Sequence, residues 1–162
     1  MIVGAGFGGL ECARALRSAP VDVILVDRCN YHVFTPFLYQ VATALLEPAE
    51  VATPIRQLLH RIPNAEFRLA AVTAVDLDAQ VVHTDRGELP YDQVVLAAGA
   101  VNDYYGNTDI AERSLGLGTL SEALALRNAV LERFERAAWT EDPEERQRLL
   151  RFLVVGGGPT GV

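Results

Sequence analysis

Apolar residues along the chain change their spacing several times, and each change marks an element. Met1-Ile2-Val3 is a short apolar stub that runs into glycines. Leu10, Ala13 and Leu16 then recur at helical spacing, with Arg14 and Arg17 between them, and Ser18-Ala19-Pro20 marks the end of that helix. Val21 to Val26, apolar except at Asp22, has strand length and ends at Asp27, which suits a buried parallel strand. Strand, glycine turn, helix and strand in this order make one βαβ unit. Residues 28–46 hold Tyr31, His32, Phe34, Phe37 and Tyr39 without a clean period, and the expectation is an ordered loop leading into a short helix. Thr53-Pro54 predicts a cap with proline at the first helical position, ahead of an apolar stripe at Ile55, Leu58, Leu59 and Ile62.

From Phe67 the pattern turns to alternation. Arg68–Val75, Gln80–Thr84 and Gln93–Leu96 predict short strands, parted by Asp76-Leu77-Asp78 and Asp85-Arg86-Gly87. The reading is a small antiparallel meander inserted into a doubly wound fold, with Gln93–Leu96 returning to the parallel sheet. Two helices follow, each opened by a capping-box pattern: Thr119-x-x-Glu122 and Asp142-Pro143-x-Glu145. The first is expected to turn Leu120, Leu124, Leu131 and Phe134 inward. Phe152–Val155 then predicts a strand that starts a second unit. The fold class is therefore α/β, a Rossmann-like dinucleotide-binding fold with a parallel sheet and an inserted meander. Residues 1–108 form its first domain and 109–162 the start of a second one.

The candidate chemistry lies in the glycines after the two apolar stubs. Gly4-Ala5-Gly6-Phe7-Gly8-Gly9 and Gly156-Gly157-Gly158-Pro159-Thr160-Gly161 are both G-x-G-x-x-G. In that motif the first glycine allows the tight turn, the second lets backbone approach a pyrophosphate, and the third lets helix and strand pack closely. The phosphates rest on N–H groups at a helix N-terminus. Two copies suggest a protein that holds two dinucleotides and passes electrons between them. The first strand is short, and the sequence stops just past the second glycine loop, so the reading is of a fragment whose second unit is truncated. Asp27 lies 23 residues after Gly4, near the separation of about 20 at which such folds place an acid on the adenosine ribose; a plain surface carboxylate is the other option. The first site could hold NAD, but its place at the chain start, the meander and the second motif favour FAD there.

Composition narrows the classes. The formal charge is −7 and argues against a nucleic-acid partner, which needs a basic surface. All 14 basic residues are arginine, so Schiff-base lysine chemistry and a P-loop lysine are excluded. Cys12 and Cys29 form no closely spaced pair and no zinc pattern, so neither a metal nor a catalytic residue is assigned. The absence of a long apolar run or signal peptide makes a soluble, cytoplasmic chain the expectation. His32 is either a flavin neighbour or a structural histidine; His60 and His83 read as structural or exposed.

The stretches Gly4–Leu10, Val26-Asp27-Arg28, Asn30-Tyr31-His32 and Pro36–Thr43 together resemble type II NADH dehydrogenases. Asp92, Val94–Ala100 and Gly156–Val162 continue the resemblance in order. These are single-subunit, FAD-containing NADH:quinone oxidoreductases that do not pump protons, and the chain resembles their N-terminal part. The resemblance implies that Gly4, Gly6, Phe7, Gly8 and Gly9 hold the FAD pyrophosphate, Asp27 the ribose, and Arg28 and the Val72 backbone the adenine end. His32 would stand by the cofactor, Pro36 to Thr43 along the flavin, and Ala98-Gly99 close to it. Gly156, Gly158 and Gly161 would open the site for NADH. Hydride would pass from NADH to flavin and electrons on to a quinone, while the isolated fragment would be inactive. The parent would sit peripherally on the cytoplasmic face of the inner membrane through a C-terminal part; its oligomeric state is left open, with a homodimer as one option. Ala97-Ala98-Gly99 departs from the Ala-Thr-Gly of many relatives, and Cys29 stands where a polar residue is commoner. The rivals are a ferredoxin-reductase-like flavoprotein and a non-catalytic nucleotide-binding fragment. A disulfide, peroxide or sulfide reductase would need a cysteine in Tyr31–Leu46, which has none.

Overall fold

The computed structural model describes residues 1–158, 160 and 161; Pro159 and Val162, which fall in the second glycine motif and just beyond it, lie outside the described residues. The chain runs β1 (Ile2–Val3), α1 (Phe7–Ala15), β2 (Val23–Asp27) and β3 (Tyr31–Val33), then a 3-10 turn at Thr35–Phe37. It continues with α2 (Leu38–Ala42), α3 (Pro48–Val51), β4 (Ala52–Pro54), α4 (Ile55–Leu59) and β5 (Ala65–Leu69). Next come β6 (Val72–Asp76), β7 (Val81–Thr84), β8 (Gly87–Pro90) and β9 (Val95–Leu96). The last elements are α5 (Thr108–Arg113), α6 (Leu120–Trp139) and α7 (Pro143–Leu149). These elements divide into two compact units, Met1–Val33 with Ala52–Ala100, and Phe34–Val51 with the chain from Val101 onward.

The first unit carries the parallel sheet, in the order β5-β2-β1-β9. This is the strand order of one dinucleotide-binding half. Ile2 pairs with both Leu25 and Val95, and Val23 to Asp27 pair with Ala65 to Leu69. Val23, Leu25 and Val26 are buried, on both faces of this strand, and a parallel strand covered on both faces reads as an unbroken apolar run, as Val23–Val26 does. Ile2, Leu10, Ala13, Leu25, Ile55, Leu59 and Phe67 make the core on the helix side. The meander is present as the antiparallel sheet β6-β7-β8, and β9 returns to the parallel sheet as the alternation predicts. The α/β class and inserted meander therefore hold.

Several boundaries differ from the sequence reading. Residues 28–46 are not a loop as far as the first helix: β3 pairs antiparallel with β4, His32 opposite Thr53. Thr53 and Pro54 thereby belong to a strand, and α4 starts one residue later with no side-chain cap bond. The run Arg68–Val75 splits at Ala70-Ala71 into strands of two different sheets, and Gly87 opens β8 instead of closing a turn.

In the second unit, Leu38, Val41, Val51, Ala123, Ala137 and Leu149 are buried. Thr119 and Glu122 form the full capping box that opens α6. Asp142 caps α7 by accepting from the Glu144 N–H, with Pro143 at the first turn, but Glu145 instead accepts from the Thr140 hydroxyl. Leu131 and Phe134 do not turn inward; each is 48% exposed. Leu131 sits about 80° round the helix from buried Ala123, and Phe134 meets the tilted ring of Phe152 at 5.7 Å. Phe152–Val155 is exposed and pairs with no strand among the described residues, so the second strand expected there is not formed.

Candidate functional site

The N-terminal glycine loop is placed by the sheet beneath it. Gly4 donates its N–H to the Val26 carbonyl (2.8 Å), which extends the β1–β2 ladder into the turn. Its φ is +101°, and a Cβ there would lie 2.2 Å from the Ala97 carbonyl oxygen just after β9. Glycine is thus required at this position twice over, by backbone angle and by contact. At Gly9 a Cβ would fall 1.8 Å from the Gly4 oxygen, so the third glycine is what lets α1 fold back onto the turn. Gly6 is different. Its φ is −73° and nothing lies within 4 Å of where a Cβ would be.

Between these two fixed points, Gly6, Phe7 and Gly8 form an exposed crest, flanked by buried Gly4, Ala5, Gly9 and Leu10. Gly6 is the N-cap of α1, and among the described residues no side chain caps that end. Backbone N–H groups at an uncapped helix start, on an exposed glycine turn, suit an anion. Missing side chains at Gly6 and Gly8 leave room for a pyrophosphate to approach that backbone, so this loop fits a dinucleotide.

Asp27 ends β2 half-buried and reaches this loop. Its Oδ2 accepts the Ala5 N–H at 2.7 Å and its Oδ1 accepts the Cys29 N–H at 2.8 Å. It is therefore no bare surface carboxylate, and the remaining lone pairs of its two oxygens can still accept from hydroxyls. His32, carried by β3, places Nδ1 3.1 Å from the Ala5 carbonyl oxygen and meets the Phe7 ring edge-on, centroids 4.9 Å apart. Arg28 is exposed at the end of the strand. Burial, chiefly, together with neighbouring Cys29 pushes the Tyr31 phenol above its usual value.

Gly4, Gly9, Asp27 and His32 are thus joined through the loop, and Ala98 follows the Ala97 carbonyl that Gly4 packs against. Gly99 is exposed with φ +76°. Val72 is half-buried as the first residue of β6, two positions beyond Ala70, whose N–H donates to the Asp27 carbonyl. In the other unit, Pro36 is exposed in the 3-10 turn, and the Thr43 hydroxyl after α2 donates to the Tyr39 carbonyl at 2.9 Å. Gly156 has φ +114°, a Cβ at Gly161 would fall 2.2 Å from the Gly156 oxygen, and Gly158 has open space around it.

Ala5 and Ala97 contribute through backbone alone, so no side-chain signal names them. An Asx-type pattern, an aspartate bonding the N–H two residues on, was the available clue to the Asp27–Cys29 bond. A groove of about 1040 Å³ opens beside α1 and α4, lined by Arg14, Arg17, Arg56, His60 and Arg61 among others, and none of the candidate cofactor residues lines it. Among the described residues no group of His, Cys, Asp and Glu is arranged to hold a metal, and no helix is long and apolar enough to cross a membrane.

Comparison with known proteins bears on the whole chain. Residues 1–162 match the family model described as pyridine nucleotide-disulphide oxidoreductase. A type II NADH:quinone oxidoreductase of Mycobacterium tuberculosis is 43% identical over 166 residues, covering 100% of this chain and 36% of that protein. The structure of NDH2 from Plasmodium falciparum superposes with a TM-score of 0.91 at 25% identity, over 99% of this chain and 34% of that one. The sulfide:quinone oxidoreductase of Aquifex aeolicus gives a TM-score of 0.73 at 26% identity, over 83% and 32% respectively. The chain spans about a third of the length of the curated relatives it matches.

Proposed function

The chain belongs to the pyridine nucleotide-disulphide oxidoreductase family, and within it to the type II NADH dehydrogenases; on that premise we propose that it is the FAD-binding portion of an NADH:quinone oxidoreductase. The observation that carries this reading is the glycine crest Gly6-Phe7-Gly8, exposed, uncapped and backed by the Asp27 carboxylate. Bound FAD supplies the redox chemistry of such an enzyme, accepting hydride from NADH and releasing electrons to a quinone.

The residues of this chain do the holding. Gly4 and Gly9 set the turn, and the crest offers backbone N–H groups to the pyrophosphate. Asp27 keeps the turn in place and accepts from the adenosine ribose. Arg28 and the Val72 backbone bound the adenine end; Pro36 to Thr43, Ala98 and Gly99 line the flavin. Gly156, Gly158 and Gly161 open the NADH site, and residues 1–108 and 109 onward divide the two tasks. The whole enzyme acts peripherally at the cytoplasmic face of the inner membrane, with a homodimer as one option for its assembly.

Titrating the purified chain with FAD and with NAD, following flavin fluorescence and, for NAD, thermal stabilisation, tests the assignment. FAD binding more tightly than NAD is expected. Tighter NAD binding would make the first site an ordinary NAD-binding Rossmann loop.

A further inference from the structure

His32 is half-buried on β3, and its ring touches the glycine loop twice: Nδ1 at the Ala5 carbonyl (3.1 Å) and the ring against the edge of Phe7. A carbonyl oxygen only accepts, so the proton of this hydrogen bond must sit on Nδ1. Ala5 itself is 2% exposed. A carbonyl buried to that degree needs a partner, and among the described residues His32 supplies it. From the opposite side the Ala5 N–H is held by Asp27 Oδ2. Both polar backbone groups of the residue between the first two glycines are therefore gripped, one by the end of β2 and one by β3.

We propose that His32 is a positioning residue for the dinucleotide loop, a clamp that presets the Gly6-Phe7-Gly8 crest before ligand arrives. A glycine-rich turn is the part of the fold with most backbone freedom to lose. Fixing it in advance removes that ordering cost from binding. The pairing of the three-residue strands β3 and β4, with His32 opposite Thr53, carries the imidazole at the loop. The proposal rests on the FAD reading for its ligand, but the clamp itself is a property of the free chain.

Two measurements test it. In the FAD-free chain, at a pH where the imidazole is neutral, the two-bond nitrogen–proton pattern of His32 should show the Nδ1–H tautomer. The Nε2–H tautomer would overturn the proposal whatever the chain binds. In flavin-fluorescence titrations, His32→Ala should weaken FAD binding about tenfold or more, while His32→Asn, whose amide can donate from nearly the same place, should stay within about threefold of the parent. Equal loss in both variants, or no loss in His32→Ala, would also overturn it. If the parent chain binds no FAD, the cofactor assignment fails and the tautomer alone decides the clamp.

Discussion

The two glycine loops share a local shape but not a setting. In each, the first glycine has positive φ (+101° at Gly4, +114° at Gly156), the second has open space around it, and the last lies against the carbonyl of the first. Even the residue two positions before each loop matches, with Ile2 near Gly9 and Val154 near Gly161. Around Gly4, however, the Val26 carbonyl, the Ala97 backbone and a sheet of four strands close in, while a Cβ at Gly156 would meet nothing within 4 Å and the segment before it is exposed and pairs with no strand among the described residues. The turn is therefore written locally by the G-x-G-x-x-G spacing. A finished phosphate cradle needs, in addition, neighbours distant in sequence: Asp27, His32 and Ala97.

Substitutions can separate these two contributions. Gly9→Ala should have the largest effect, because its Cβ meets fixed backbone within a packed core; a loss of about 3 kcal/mol or more is expected in urea denaturation. A stability change under about 1 kcal/mol would mean that α1 can shift off the turn freely. Asp27→Ala comes next. It leaves the buried Ala5 N–H and the Cys29 N–H without their acceptor, and should cost about 1–3 kcal/mol of stability as well as weaken FAD. A folded variant of unchanged midpoint would show that water replaces the carboxylate at no cost.

In the second unit the order should invert, with helix signals outweighing the loop. Thr119→Ala removes the capping box of α6 and should cost about 1 kcal/mol. Gly161→Ala makes nearly the same local collision as Gly9→Ala, yet it should shift stability by less than about 0.5 kcal/mol, because the segment before it is exposed and can move. Thermal denaturation of both variants checks this. Equal losses at Gly9 and Gly161 would erase the distinction between the loops.

The same split governs how much could be read from the sequence. Both glycine loops, the strand ending at Asp27, the meander and the cap at Thr119 are local signals, and the structure contains them. The pairing of β3 with β4 was not legible, since strands of three residues carry no period and their partners lie about twenty positions apart. Nor was the break between β5 and β6: Leu69-Ala70-Ala71-Val72 is an apolar run with no turn residue in it, and the divergence shows only in the backbone bonds, Ala70 N–H to the Asp27 carbonyl and Asp85 N–H to the Ala71 carbonyl. At the site, spacing drew attention to Asp27 but not to its grip on Ala5, and left His32 between two roles until its ring was seen against the loop. Leu131 and Phe134 fit the helical period, but the buried seam of α6 runs through Ala123 and Ala137 instead.

The most direct test of the central claim, that the first loop is a dinucleotide cradle, is the FAD dissociation constant of Gly6→Ala beside that of the parent chain. Gly6 has ordinary backbone angles and open space at its Cβ position, so nothing in the fold requires glycine there. The account predicts an unchanged melting temperature and FAD binding weakened about tenfold or more, because the added methyl stands where the pyrophosphate must approach. Gly6→Ala binding FAD as tightly as the parent would contradict it.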